Sequence, residues 1–120
     1  MKSLIMIAHG SKKEKSNNEF SFLVKQIKES SQSYMKVEEA FLEFATPSLE
    51  DSIKKCLQDD VQEIDIYPFF LNSGKHVTID IPNIIKDFQI KYPLIDFVIL
   101  NHFGKSDKIK DIVLSDLAKK

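Results

Sequence analysis

The chain has 120 residues, with 17 lysines, no arginine and 18 acidic residues for a net charge of −1. That length is expected of one domain, here residues 1–120, and a composition 42% hydrophobic and 29% charged is that of a folded soluble domain rather than a disordered one. Near-neutral charge argues against the basic face of a nucleic-acid binder, and the missing arginine removes every mechanism built on a guanidinium fork.

Leu4–Ala8 is an apolar run closed by His9-Gly10-Ser11, the signature of a strand buried on both faces. Residues 14–33 carry Phe20, Leu23, Val24 and Ile27, with Tyr34 just beyond, at the spacing of one helix face. A second strand is expected over Val37–Ala45. Thr46 as N-cap and Pro47 in the first turn then open a helix with Leu49, Ile53, Cys56 and Leu57 inward, ended by Asp59-Asp60. Residues 64–67 read as a third strand stopped by Pro68, and residues 68–75 as a loop. A helix over 77–91 begins loosely because Pro82 sits early in it. Residues 95–100 form the fourth strand. A last helix over 106–119, capped by Ser106, turns Ile109, Ile112, Val113 and Leu117 inward.

The order β-α-β-α-β-α-β-α predicts an α/β domain: a four-stranded parallel sheet, order 2-1-3-4, with helices on both faces, a flavodoxin-like three-layer sandwich. Cys56 stands alone, which removes internal disulfides and multi-cysteine metal clusters and fits a reducing cytoplasm. The apolar run at the start is shorter than the ~7–15 residues of a signal-peptide core. No run nears the ~20 apolar residues of a membrane span. A soluble cytoplasmic protein, without membrane or nucleic-acid partners, is expected.

In an open parallel sheet ligands bind beyond the carboxyl ends of the strands, where strand order reverses. Order 2-1-3-4 puts that point between strands one and three. His9 ends strand one, His76 follows the loop after strand three, and Glu43 lies near the end of strand two. Such a donor set suits a first-row divalent metal and equally supplies groups for proton transfer near neutral pH. Taken from spacing alone, the histidines read as well as hydrogen-bonded turn residues and Glu43 as a solvated carboxylate, since no local metal motif is present. Lys12, Lys13 and Lys15 read either as a solvated helix start or as charge offered to an anionic ligand. His102 reads as a polar turn residue and Cys56 as a small packing residue. No phosphate loop, dinucleotide fingerprint or nucleophile elbow is present.

Four stretches in order carry a more specific signal: Ala8-His9-Gly10-Ser11, then residues 41–49 (FLEFATPSL), then residues 68–76 (PFFLNSGKH), then Asp80-Ile81-Pro82. With these the chain resembles the small single-domain sirohydrochlorin chelatases of the class II chelatase group. The resemblance implies a chelatase-like fold with His9, Glu43 and His76 as catalytic and metal-binding residues. It implies insertion of a divalent metal (cobalt first, iron next, nickel also accepted) into a tetrapyrrole in cobalamin or sirohaem synthesis. It implies no organic cofactor, the metal being a substrate, and a homodimer closing on the macrocycle. Ser11, Lys12, Gly74 and Lys75, with Phe70 against the ring face, form the expected tetrapyrrole-contacting set; Lys13 and Lys105 are further candidates. Packing beneath the loop is an equal reading of Phe69-Phe70-Leu71. The chain departs from the family at Asn101-His102-Phe103-Gly104, where Pro-Leu-Gly is common, and in having neither a histidine-rich tail nor a cysteine cluster. A metal or tetrapyrrole carrier using the same crevice is the alternative, and a degenerate partner-binding module a third.

Overall fold

The structure, a computed structural model, describes residues 1–120. Four strands, β1 (Lys2–Ala8), β2 (Lys36–Phe41), β3 (Glu63–Pro68) and β4 (Asp96–Ile99), form one parallel sheet in the order β2-β1-β3-β4. Helices α1 (Glu14–Ser30), α2 (Leu49–Leu57), α3 (Ile81–Lys91) and α4 (Lys108–Ala118) follow the strands in turn. The expected topology is therefore the observed one.

Central β1 explains why the sheet needs cover on both sides. Its side chains alternate between faces. Ile5 and Ile7 enter a core with Leu49, Ile53 and Cys56 of α2 and Ile81 and Ile85 of α3. Leu4 and Met6 enter a second core with Phe20 and Val24 of α1 and Val37 and Phe41 of β2. Cys56 is fully buried in the first core as a packing residue, and burial pushes its thiol up to about 11.

Several boundaries differ from expectation: β3 runs Glu63–Pro68 and so includes Pro68, and α4 starts at Lys108 with Asp107, not Ser106, at its N-cap position. α1 ends at Ser30 rather than residue 33. β2 ends at Phe41, although apolar residues continue to Ala45. The chain bridges from Phe41 to Ser48, and Phe44 adopts a positive φ of 65° that reverses it. Ser48, not Thr46, caps α2, its hydroxyl accepting from the Asp51 amide at 3.1 Å. The loose entry to α3 is a π-helical turn, His76–Asp80, closed by Ile81 N–H donating to His76 O. Pro82, without an N–H, cannot extend α-type pairing back into this turn, so the wider geometry is adopted there.

The largest correction concerns α4. Ile112, Val113 and Leu117, expected inward, are exposed, Ile109 is half-buried, and no residue of the helix is buried. Its apolar stripe has no cover in the chain. The molecule measures 50 × 30 × 26 Å.

Candidate metal centre

The carboxyl edge of the sheet gathers three donors from three separate segments. His9 leaves β1 directly. Glu43 is two residues past β2, but it is not loose. Leu42 N–H donates to Ala8 O at 3.0 Å and Glu43 N–H to His9 O at 2.8 Å, so the parallel ladder runs on two residues beyond the strand. That extension holds Glu43 beside His9. Gly10 makes the approach feasible: its φ is +94°, and a Cβ there would stand 1.9 Å from Glu43 O. His76 opens the π-helical turn after β3.

The side chains converge. His9 Nε2 lies 2.8 Å from Glu43 Oε2, the rings of His9 and His76 are 4.8 Å apart, and one donor atom from each of the three residues lies within 4.8 Å of the others. Ligands at ~2.0–2.2 Å from a divalent ion stand roughly 3–4 Å from one another. The three donors are therefore within small rotamer adjustments of a common ion. His9 Nδ1 faces Gly10 O at 3.2 Å. If Nδ1–H donates there, Nε2 carries a lone pair in the neutral ring. A lone pair facing a carboxylate oxygen at 2.8 Å needs a proton or a cation between them. The pair is a place where proton and metal compete.

Sequence reasoning gave Asp80 no role. Its carboxylate lies 2.8 Å from His76 Nδ1, so Nδ1–H donates to it and Nε2 is left free. This is the outer partner that ligating histidines usually require. The four-residue spacing from His76 to Asp80 was a readable signal, since such residues share a helical face.

The other expected residues divide. Lys12 is exposed, with Nζ 5.3 Å from the centre of the Phe44 ring, and that ring meets His9 edge-on at 5.9 Å. Ser11 Oγ accepts from Lys13 N–H at 3.0 Å, and the Ser11 backbone is clamped by Asn17 through bonds of 2.9 and 2.8 Å. Its hydroxyl thus serves the start of α1. Phe70 stacks beside His76 at 6.3 Å and also packs on the α2–α3 core. Phe69 belongs to the other core, against Phe20 and Phe103. Leu71 is exposed. Gly74 O accepts from Val77 and Thr78 amides, both at 3.1 Å, and so starts the turn that carries His76. Lys13, Lys75 and Lys105 are exposed. His102 follows β4 half-buried and is outside the three-donor group.

A family model described as CbiX matches residues 3–120. The chain belongs to the CbiX family. It is similar to a sirohydrochlorin ferrochelatase, chloroplastic, from Arabidopsis thaliana, 33% identical over 92% of this chain and 48% of that one. It is also similar to a sirohydrochlorin cobaltochelatase from Priestia megaterium, 30% identical over 98% of this chain and 38% of that one. Among solved structures, the sirohydrochlorin chelatase SirB from Bacillus subtilis subspecies spizizenii in complex with cobalt superposes with a TM-score of 0.88. It is 23% identical and is matched over 98% of this chain and 50% of that one; the likeness establishes a shared fold. This CbiX-family chain spans about half or less of the length of these relatives. No helix of the structure is long and apolar enough to cross a membrane.

Proposed function

We propose that this chain is a sirohydrochlorin chelatase. It inserts a divalent metal, cobalt or iron, into the tetrapyrrole, as a single-domain protein acting in the cytoplasm in cobalamin or sirohaem synthesis and pairing with a second copy. The observation that carries the reading is the convergence of His9, Glu43 and His76 from three segments at the switch point of the sheet. Family membership and relatives named for both cobalt and iron insertion support it.

Insertion exchanges two pyrrole N–H protons for one divalent ion. A site must therefore hold the ion, release it, and take up two protons. Imidazoles bind cobalt and iron and accept protons with the same lone pair. His9 and His76 hold the ion through Nε2 and take a proton at the same atom as it departs. Glu43 balances the charge in both states, and Asp80 keeps His76 in the tautomer that presents Nε2. The macrocycle's carboxylates are met by lysine point charges and backbone donors, with Lys12 and Lys75 flanking the donors in sequence and Phe70 beside His76.

The test mixes purified chain, sirohydrochlorin and Co²⁺ or Fe²⁺ and follows the absorption spectrum. Acceleration over the protein-free rate is expected; its absence overturns the proposal, and stoichiometric binding without turnover marks a carrier. His9→Ala and His76→Ala are each expected to lower the rate by roughly 100-fold or more, the scale of removing a positioned proton-transfer group.

A further inference from the structure

The segment between β2 and α2 holds one side chain in a costly place. Phe44 has a φ of 65°, a backbone region where glycine sits freely and a bulky residue is strained. Burial does not explain the residue: Phe44 is 57% exposed and belongs to neither core. The backbone is tied on both sides of it. Glu43 N–H donates to His9 O at 2.8 Å and Phe41 N–H donates to Pro47 O at 2.9 Å, so the reversal itself needs no phenyl group. Strain kept for an exposed side chain directs attention to what that side chain touches. His9 lies against the ring at 5.9 Å, the two planes inclined by 71°, and Lys12 Nζ stands over it, 5.3 Å from its centre. Beyond Phe44 the walls turn polar, for its ring borders a cavity of about 380 Å³ that Ser11, Lys12, Asn17 and Thr46 also line.

We propose that Phe44 is a substrate-positioning residue: its ring takes the flat face of the macrocycle beside His9, and it holds Lys12 where the ammonium meets a carboxylate on the macrocycle's rim. The inference rests on the chelatase reading and adds to it a contact that neither the donor set nor the lysines supply. A conjugated macrocycle is apolar over its faces and anionic at its rim. Phe44 and Lys12 offer the same division, a phenyl for stacking on the face and a cation for the rim. The attraction between an ammonium and a ring's π-electrons orders the lysine before substrate arrives, which lowers the side-chain entropy lost on binding. The chain has no arginine, so a placed lysine is the cation it can offer. Contact with His9 sets the macrocycle's face next to a donor of the ion. The other donor histidine, His76, has Phe70 beside it at 6.3 Å, but Phe70 is also packed on the α2–α3 core. Phe44 has no such second duty, and its strained backbone is the mark of that difference.

The test compares Phe44→Gly, Phe44→Tyr and Lys12→Gln with the wild-type chain. Phe44→Gly removes the ring and relaxes the backbone, so its melting temperature is expected to equal or exceed that of the wild type. Its Co²⁺ affinity, titrated without tetrapyrrole, is expected to be unchanged. Its KM for sirohydrochlorin is expected to rise about 10-fold or more, the scale of one lost stacking contact, with a smaller change in kcat. Phe44→Tyr keeps the aromatic face and is expected to keep the wild-type KM. Lys12→Gln is expected to raise KM in the wild-type background and to do so less in Phe44→Gly, since the two side chains act as a unit. A lower melting temperature in Phe44→Gly means that the ring serves packing, and a Co²⁺ affinity that falls with it means that the ring serves His9; either overturns the proposal. An unchanged KM in Phe44→Gly overturns it too, and strictly additive effects of the two substitutions overturn the coupling to Lys12. A wild-type chain that gives no acceleration overturns the chelatase reading and this inference with it, whereas wild-type turnover with an unaffected Phe44→Gly overturns this inference alone.

Discussion

The tautomer of His76 is fixed by one carboxylate. Asp80 faces Nδ1 at 2.8 Å, and replacing it by asparagine keeps the shape while removing the charge that holds Nδ1–H. Asp80→Asn is expected to weaken Co²⁺ binding by about 10–100-fold, the usual cost of losing such a partner, with the fold intact. Isothermal titration on the folded variant checks this, and unchanged affinity would show that Asp80 does not position the ring. At this scale the legible and illegible parts of the site separate. His9, Glu43 and His76 could be read because strand ends at a switch point predict convergence. The clamp between Ser11 and Asn17, a contact across the start of α1, leaves no mark in composition or period.

Helix and strand boundaries obey the same division. β1 was plain from Leu4–Ala8, and α1 from the spacing of Phe20, Leu23, Val24 and Ile27. The end of β2 was not, since Leu42, Phe44 and Ala45 continue the apolar pattern through a reversal set by the backbone at Phe44. The cap of α2 moved two residues for a related reason: Thr46 and Ser48 are both good caps, and only the bridge from Phe41 to Ser48 chooses between them. Ser48→Ala should cost about 1 kcal/mol, read as a lower urea midpoint at unchanged slope. A second element-level prediction concerns the opposite, amino edge of the sheet. There the Tyr34 hydroxyl donates to Asp65 at 2.5 Å. Burial first, then the bond to the Asp65 carboxylate, holds the phenol well above its ordinary range. Unfolded tyrosine ionises near pH ~10. The stabilisation is therefore fully present below that pH and is lost as pH rises beyond it, because the unfolded chain gives up the proton first. Alkaline unfolding should steepen above pH ~10 and lose that component in Tyr34→Phe, as followed by circular dichroism.

Across the whole molecule the apolar content exceeds what one copy hides. Only 21 of 120 residues are buried, and an entire helix offers its stripe to water. The inward stripe expected of α4 is overturned: helical period marks an apolar face, but no surface within the chain covers it. If pairing completes the core, stability depends on protomer concentration. The melting temperature should rise as concentration is raised from about 1 to 100 µM, whereas a self-sufficient monomer would melt at one temperature throughout. Gly104 ties two segments of the carboxyl edge together. A Cβ there would stand 1.5 Å from Leu71 O, so the turn that launches α4 is wedged against the loop that leads to His76, with no slack between them. Any side chain at Gly104 therefore displaces two segments at once, its own turn and the loop that carries His76.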